Sequence, residues 1–133
     1  SRNFPFAYVQ RLLRDPSNLP CMQTVFHLIQ SDPENRKTAL TIAENLTEDD
    51  SVEMDGIEVV AQADGIEPLT SDGEGSDHVR SLLDDGVAFK ACGNTLDMED
   101  LDESDLVDGV ETVPSGAGEL TRLQDEGYAY IRP

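Results

Sequence analysis

Cys92 is the residue of this chain best placed for chemistry. It ends the apolar run Val87-Ala88-Phe89-Lys90-Ala91-Cys92 and stands directly before Gly93-Asn94-Thr95, where a short helix opens. Exposed N–H groups at such a helix start carry partial positive charge, which stabilises a thiolate and lowers its pKa. The thiolate is the form that attacks a persulfide or disulfide, so location and chemistry agree. A plainer role fits the same position, because a lone cysteine at a strand end packs well as a small hydrophobe. Cys21 and Cys92 show neither a CxxC motif nor a metal-ligand spacing, which leaves a free thiol at Cys92 as the default. His27 falls inside an apolar run and reads as a packed or interface residue. His78 lies on an acidic helix face and reads as solvated.

The remaining polar candidates sit where strands hand over to helices. In open parallel sheets, ligands gather outside the carboxyl ends of the strands. Four junctions of that kind are Gln30-Ser31, Ala63-Asp64-Gly65, Cys92-Gly93-Asn94-Thr95 and Pro114-Ser115-Gly116. Ser115-Gly116-Ala117-Gly118 has the small residues of a phosphate-binding turn but not the full GxGxxG pattern, so a nucleotide role is a weak third choice. The acidic runs Asp97-Met98-Glu99-Asp100 and Asp102-Glu103-Ser104-Asp105 lack the glycine and spacing of an EF-hand loop and read as solvated surface. No metal and no cofactor is called for.

The elements that must position these residues follow from hydrophobic patterning. Thr24 to Ile29, Gly56 to Ala63, Val87 to Cys92, Val110 to Val113 and Tyr128 to Ile131 read as five strands. Between them, residues 33–47 carry Ala39, Ile42, Ala43 and Leu46 as one apolar stripe, and Asp77 to Asp85 carries Val79, Leu82 and Leu83. Ser31-Asp32-Pro33 supplies an N-cap with proline in the first turn, and Ser115 with Glu119 marks another helix start. Gly86 and Gly127 end helices, while Gly65-Ile66-Glu67-Pro68 reads as loop. Strands alternating with helices predict an α/β fold of three layers, α/β/α and Rossmann-like, with a mostly parallel sheet covered on both faces.

Composition narrows the function class. The 133 residues have room for one core. Nine basic residues against 28 acidic ones leave a net charge of −19, spread along the chain. Such a field repels phosphate backbones and argues against nucleic acid as a partner. It also strains folding at low salt, where the Debye length is about 10 Å at 0.1 M, and is screened within about 3 Å at 1 M. The reading is haloadaptation, of the kind a haloarchaeal cytoplasm favours. No apolar run approaches a membrane span, and no signal peptide is visible, so a cytoplasmic location is expected. Residues 1–21 differ from the rest, with Arg2, Arg11 and Arg14 against Asp15 alone. The domain is expected to start at Met22 and run to residue 133, with 1–21 as an extension outside it. The competing reading is an amphipathic helix from Phe6 to Leu13 that packs on a neighbour.

From Met22 onward the chain resembles the DsrE-like (DsrE/DsrF-like) family of small sulfur-related proteins. The carrying segments are "VFHLIQSDPENRKTALTIAENL", "GVAFKACGNTL" and the ending "VETVPSGAGELTRLQDEGYAYIRP". The resemblance implies a five-stranded parallel sheet between helices, and a homo-oligomer, trimer or hexamer. It implies too that Cys92 matches the cysteine after the third strand that some relatives use to accept and pass on sulfane sulfur as a persulfide. On that basis Cys92 is the acceptor, with sulfur donor and acceptor proteins as partners and an activity of at most the sulfurtransferase type. Ser31, Asn94, Thr95 and Ser115 are then expected to line its pocket, and Gly93, Gly116 and Gly118 to let backbone N–H groups approach the sulfur or a small anion. The alternative is a non-enzymatic oligomeric module that holds a small ligand in the same cleft, with Cys92 structural.

Overall fold

The computed structural model describes residues 22–133; the helix expected over Phe6–Leu13, and the leader as an extension, lie outside the described residues. Strand β1 (Met22–Leu28) leads to helix α1 (Pro33–Thr47), then β2 (Met54–Ala61) and a 3-10 helix (Ala63–Leu69). Helix α2 (Ser76–Asp84), strand β3 (Ala88–Cys92), the short helix α3 (Gly93–Met98) and a 3-10 turn (Glu103–Asp105) follow. Strand β4 (Glu111–Val113), helix α4 (Gly116–Asp125) and strand β5 (Ala129–Ile131) complete the fold. The helix boundaries have local causes. The Asp32 carboxylate accepts from the Glu34 N–H at 2.8 Å with Pro33 in the first turn of α1. Ser115 accepts from the Gly118 N–H at 3.1 Å to start α4. Gly86 and Gly127, at φ of 98° and 100°, take the left-handed turn that stops α2 and α4. The segment read as loop at Gly65–Pro68 is instead 3-10 helix, a geometry that short pieces adopt and that the apolar stripe of a longer helix does not announce.

The five strands are all parallel, in the order β4-β3-β2-β1-β5. The chain steps in one direction from β1 to β4 and then returns across the whole sheet to β5. Crossovers between parallel strands are right-handed, so reversing the direction of travel sends the connecting helix to the other face. The first three connections therefore build one layer and α4 builds the opposite one. The first layer is the larger core: Phe26, Leu28, Ile57, Val59, Phe89 and Ala91 from the strands meet Leu40 and Ala43 of α1, Val79 and Leu82 of α2 and Leu96 of α3. On the other face, among the described residues, Val25 and Val60 pack against Leu120 and Leu123 of α4, with Tyr128 at the margin. Both faces are covered as expected, but very unequally. No helix among the described residues is long and apolar enough to cross a membrane.

Polar side chains fill out the thinner face. Lys90 of β3 lies 3.0 Å from Glu111, and 3.9 Å from both Glu58 and Glu119. Glu119 faces it from α4 and is itself held at 2.6 Å by Arg122. Burial works against the Lys90 charge, yet the bond to Glu111 and the charges of Glu58 and Glu119 outweigh it and raise its pKa. Beside this cluster the Tyr128 hydroxyl donates to Glu58 at 3.2 Å; burial and the Glu58 charge push its pKa up to about 12. Replacing Lys90 by Met is expected to destabilise the domain by roughly 2–4 kcal/mol, because Glu58 would stay buried without a cation and Glu119 would keep Arg122 alone. Denaturant titration in molar KCl checks this; a loss below about 0.5 kcal/mol would mean the cluster is incidental.

Candidate functional site

Parallel pairing brings the carboxyl ends of β2, β3 and β4 to one level. Ala61 pairs with Ala91 and Cys92 with Val113, so the segments that follow each strand converge on Cys92. The residue caps α3 with extended backbone and exposes 3% of its surface. Burial alone raises a thiol's pKa. Here it is outweighed by hydrogen bonds to the sulfur from the Thr95 and Gly116 N–H groups, the Thr95 hydroxyl and the Asn94 N–H, and the pKa is lowered. Three donors come from the first turn of α3 and one from the first residue of α4, so the full cup exists only when both helices are docked.

The Thr95 hydroxyl is aimed by its own acceptor role. It takes the Ala63 N–H at 3.0 Å, which leaves its proton for the sulfur. Ala63 sits at φ 53°, a left-handed conformation that costs a non-glycine residue about 1–2 kcal/mol. The strain thus lies at the junction that fixes a donor to the thiol. Gly116 is needed for close approach: a Cβ there would lie 3.0 Å from the Gln62 Oε1 and 3.4 Å from the Cys92 Cβ. A larger residue would press on the Gln62 carboxamide and the Cys92 side chain, which would have to give by a few tenths of an ångström.

A cleft of about 400 Å³ opens at this point, lined by Cys92, Asn94, Thr95, Ser115 and Gly116, together with Gln62, Ala63, Asp64, Met98, Glu99 and Ala117. Of the residues singled out from sequence, Asn94, Thr95, Ser115 and Gly116 are gathered around the thiol. Gly93 instead packs tightly behind it, where a Cβ would meet the Val113 carbonyl at 2.9 Å. Gly118 spends its N–H on the Ser115 cap and does not line the cleft. Ser31 lines a neighbouring cleft of about 270 Å³ with Arg36 and Thr70, which shares Ala63, Asp64 and Glu99 with the first. His78 pairs with Glu44 at 2.9 Å, away from the thiol. The acidic run after α3 is partly structural, since Asp102 and Asp105 cap each other around the 3-10 turn.

Sequence pattern alone marks nothing at Gln62 and gives His27 as a packed or interface residue. In the structure the His27 Nε2 lies 2.8 Å from the Gln62 Oε1, and its Nδ1 lies 2.7 Å from the Tyr130 hydroxyl. The signal was present as strand parity, because His27, Gln62 and Cys92 fall on the same face of three adjacent strands.

The family model of the DsrE/DsrF-like family matches residues 23–133. Among solved structures, the chain is similar to the protein of unknown function MTH1491 from Methanobacterium thermoautotrophicum. That likeness has 40% identity and a TM-score of 0.78, over 84% of this chain and 99% of the other. A protein of unknown function from Bacteroides thetaiotaomicron, BT1422, shares the fold, with a TM-score of 0.69 at 12% identity over 84% of this chain and 94% of that one. No curated protein matches.

Thr95→Val is expected to raise the Cys92 pKa and slow its alkylation at neutral pH about tenfold, the order of one hydrogen bond to a charged group. Thr95→Ser is expected to keep both near wild type. A pH series of iodoacetamide rates checks this, and equal midpoints for all three proteins would show that the hydroxyl does not support the thiolate. A lowered native pKa also has a stability consequence. Its contribution is present above the unfolded thiol value of about 8.5 and is lost as pH falls through the native value.

Proposed function

The chain belongs to the DsrE/DsrF-like family, and from that premise we propose that it is a sulfur carrier whose Cys92 accepts sulfane sulfur as a persulfide. The observation that carries this reading is the set of N–H and O–H donors around the Cys92 sulfur at the floor of a cleft. A hydropersulfide donor, RS–SH, would be attacked at its outer sulfur by the Cys92 thiolate. The new S–S bond forms on Cys92 and the donor's own sulfur–sulfur bond, RS–SH, breaks, with the electron pair leaving on RS⁻. The leaving thiolate takes up a proton from solvent. Nothing in this step asks for a cofactor, and the activity is at most of the sulfurtransferase type.

A carrier needs partners to load and unload it, and we place donor and acceptor proteins in that role, in the cytoplasm, where a free thiol persists. We also propose a homo-oligomer, trimer or hexamer. Edge strand β5 with Tyr130 40% and Ile131 39% exposed, and the sheet face covered by α4, support it. The acidic surface supports function at high salt, as the composition suggested. The second reading, a small-ligand-binding module with Cys92 as packing, draws on the thiol's 3% exposure.

Intact mass after incubation with a hydropersulfide donor in molar KCl decides between them. Wild type is expected to gain one sulfur atom, reversibly with reductant, and Cys92→Ser none. A wild-type protein that gains nothing and resists alkylation while folded would favour the binding module.

A further inference from the structure

A row of polar side chains crosses four strands on the face that carries Cys92. In the parallel register His27 pairs with Val60 and Tyr130 with Val25, while Ala61 pairs with Ala91. The next step of that last ladder sets Gln62 beside Cys92, about 4.8 Å away across the strands. Tyr130, His27, Gln62 and Cys92 therefore run from the edge strand into the cleft. The contacts are short, 2.7 Å from Tyr130 to His27 and 2.8 Å from His27 to Gln62. The Gln62 carbonyl oxygen can only accept, so the His27 Nε2 donates to it, and in that tautomer the Nδ1 accepts from the Tyr130 hydroxyl. That fixes the carboxamide and leaves its NH2 group as the uncommitted end. No hydrogen bond to the Gln62 amide nitrogen is formed among the described residues, although Gln62 lines the cleft.

We propose that the Gln62 NH2 group is the donor for the outer sulfur of the Cys92 persulfide, with His27 and Tyr130 as the positioning residues that hold it there. This rests on the carrier reading above. The thiol's own donors, at Asn94, Thr95 and Gly116, are already directed at Sγ. The outer sulfur stands about 2.05 Å further out and needs a donor of its own. Asp64 and Glu99 bring carboxylates to the same cleft, which repel an anionic sulfur. Asn94 and Ser115 also line it, but of these polar side chains only Gln62 is held in place by a chain of hydrogen bonds from the neighbouring strands. The polarised amide, accepting from His27 while donating to sulfur, is strengthened by that chain of bonds. The ligand class follows: a terminal persulfide anion, Cys–S–S⁻, formed from RS–SH with release of RS⁻ and of the persulfide proton to solvent.

The test is the equilibrium of loading against mixtures of glutathione hydropersulfide and glutathione, read by intact mass in molar KCl. The thiolate titration of unloaded Cys92 is read alongside. Gln62→Ala is expected to lower the loading constant about tenfold, one hydrogen bond to a charged group. The isosteric Gln62→Glu lowers it further, because a carboxylate then faces the anion. Tyr130→Phe and His27→Phe lower it less, about threefold, since they only orient the amide. In Gln62→Ala, Tyr130→Phe and His27→Phe the Cys92 titration is expected to stay at the wild-type midpoint, which a general loosening of the site would not allow; in Gln62→Glu the added carboxylate raises the thiol pKa as well. Gln62→Ala and Gln62→Glu proteins that load like wild type would overturn the proposal while leaving the carrier reading intact. So would a thiolate midpoint that moves as far as the loading constant in Gln62→Ala. A wild-type protein that does not load at any ratio would sink both.

Discussion

Everything at the Cys92 site depends on where α4 lies. This helix closes the second face of the sheet with Leu120 and Leu123, and the same helix delivers the Gly116 N–H to the sulfur. The apolar contact is small, so the helix is held as well by charge: Glu119 stands between Arg122 on its own helix and Lys90 on β3. Lys90 is two residues before Cys92 on the same face of the same strand. The ion cluster and the thiol are thus neighbours along one row of side chains. Whatever shifts Glu119 relative to Lys90 shifts Gly116 relative to the sulfur. A net-acidic domain that surrounds its scarce lysine with three carboxylates has tied its helix layer to one cation.

The topology explains why this layer is thin. A single reversal of direction, between β4 and β5, sends one crossover to the far side, and right-handedness leaves no other face for it. The return also places β5 beside β1, which is how Tyr130 comes within reach of His27 at a sequence separation of 103 residues. The edge strand therefore serves the site although it is far from Cys92 in sequence and lies at the opposite half of the sheet.

Much of this was legible in the chain, and the exceptions have physical reasons. The five strands were found because their buried residues form apolar runs, and α1, α2 and α4 because stripes and caps agree with one another. Cys92 was found because a strand end ahead of a helix is a local pattern. Asn94, Thr95, Ser115 and Gly116 came with it as members of two strand-to-helix junctions. Gly118 was placed with the sulfur on composition alone, and the structure spends its N–H on a cap, since Ser115 competes for the same donor. Ser31 was named by the same junction rule, but β1 ends one strand further along, so its loop opens on the adjacent cleft. Gln62 escaped notice, and Ala63 was named only as a junction residue, because nothing local marks the part either plays at the thiol. Their roles come from register, which a single sequence states only as parity.

The way the thiol is stabilised bears on what it can do well. Lowering a thiol's pKa raises the thiolate fraction but lowers its intrinsic nucleophilicity, so the attacking step gains less than the ionisation suggests. The same donors make Cys92 a better leaving group once it carries a second sulfur, because the departing charge returns to a cup already built for it. An arrangement of this kind favours release over capture. A fast catalyst of sulfur extraction would need a more exposed and less solvated nucleophile than a cysteine at 3% exposure with several donors on its sulfur. A residue that holds a sulfur atom and yields it readily needs low exposure to stray oxidants and reductants and a stabilised leaving thiolate, and Cys92 has both. On physical grounds, then, donors of this kind act more on the departure of a Cys92 thiolate than on its attack.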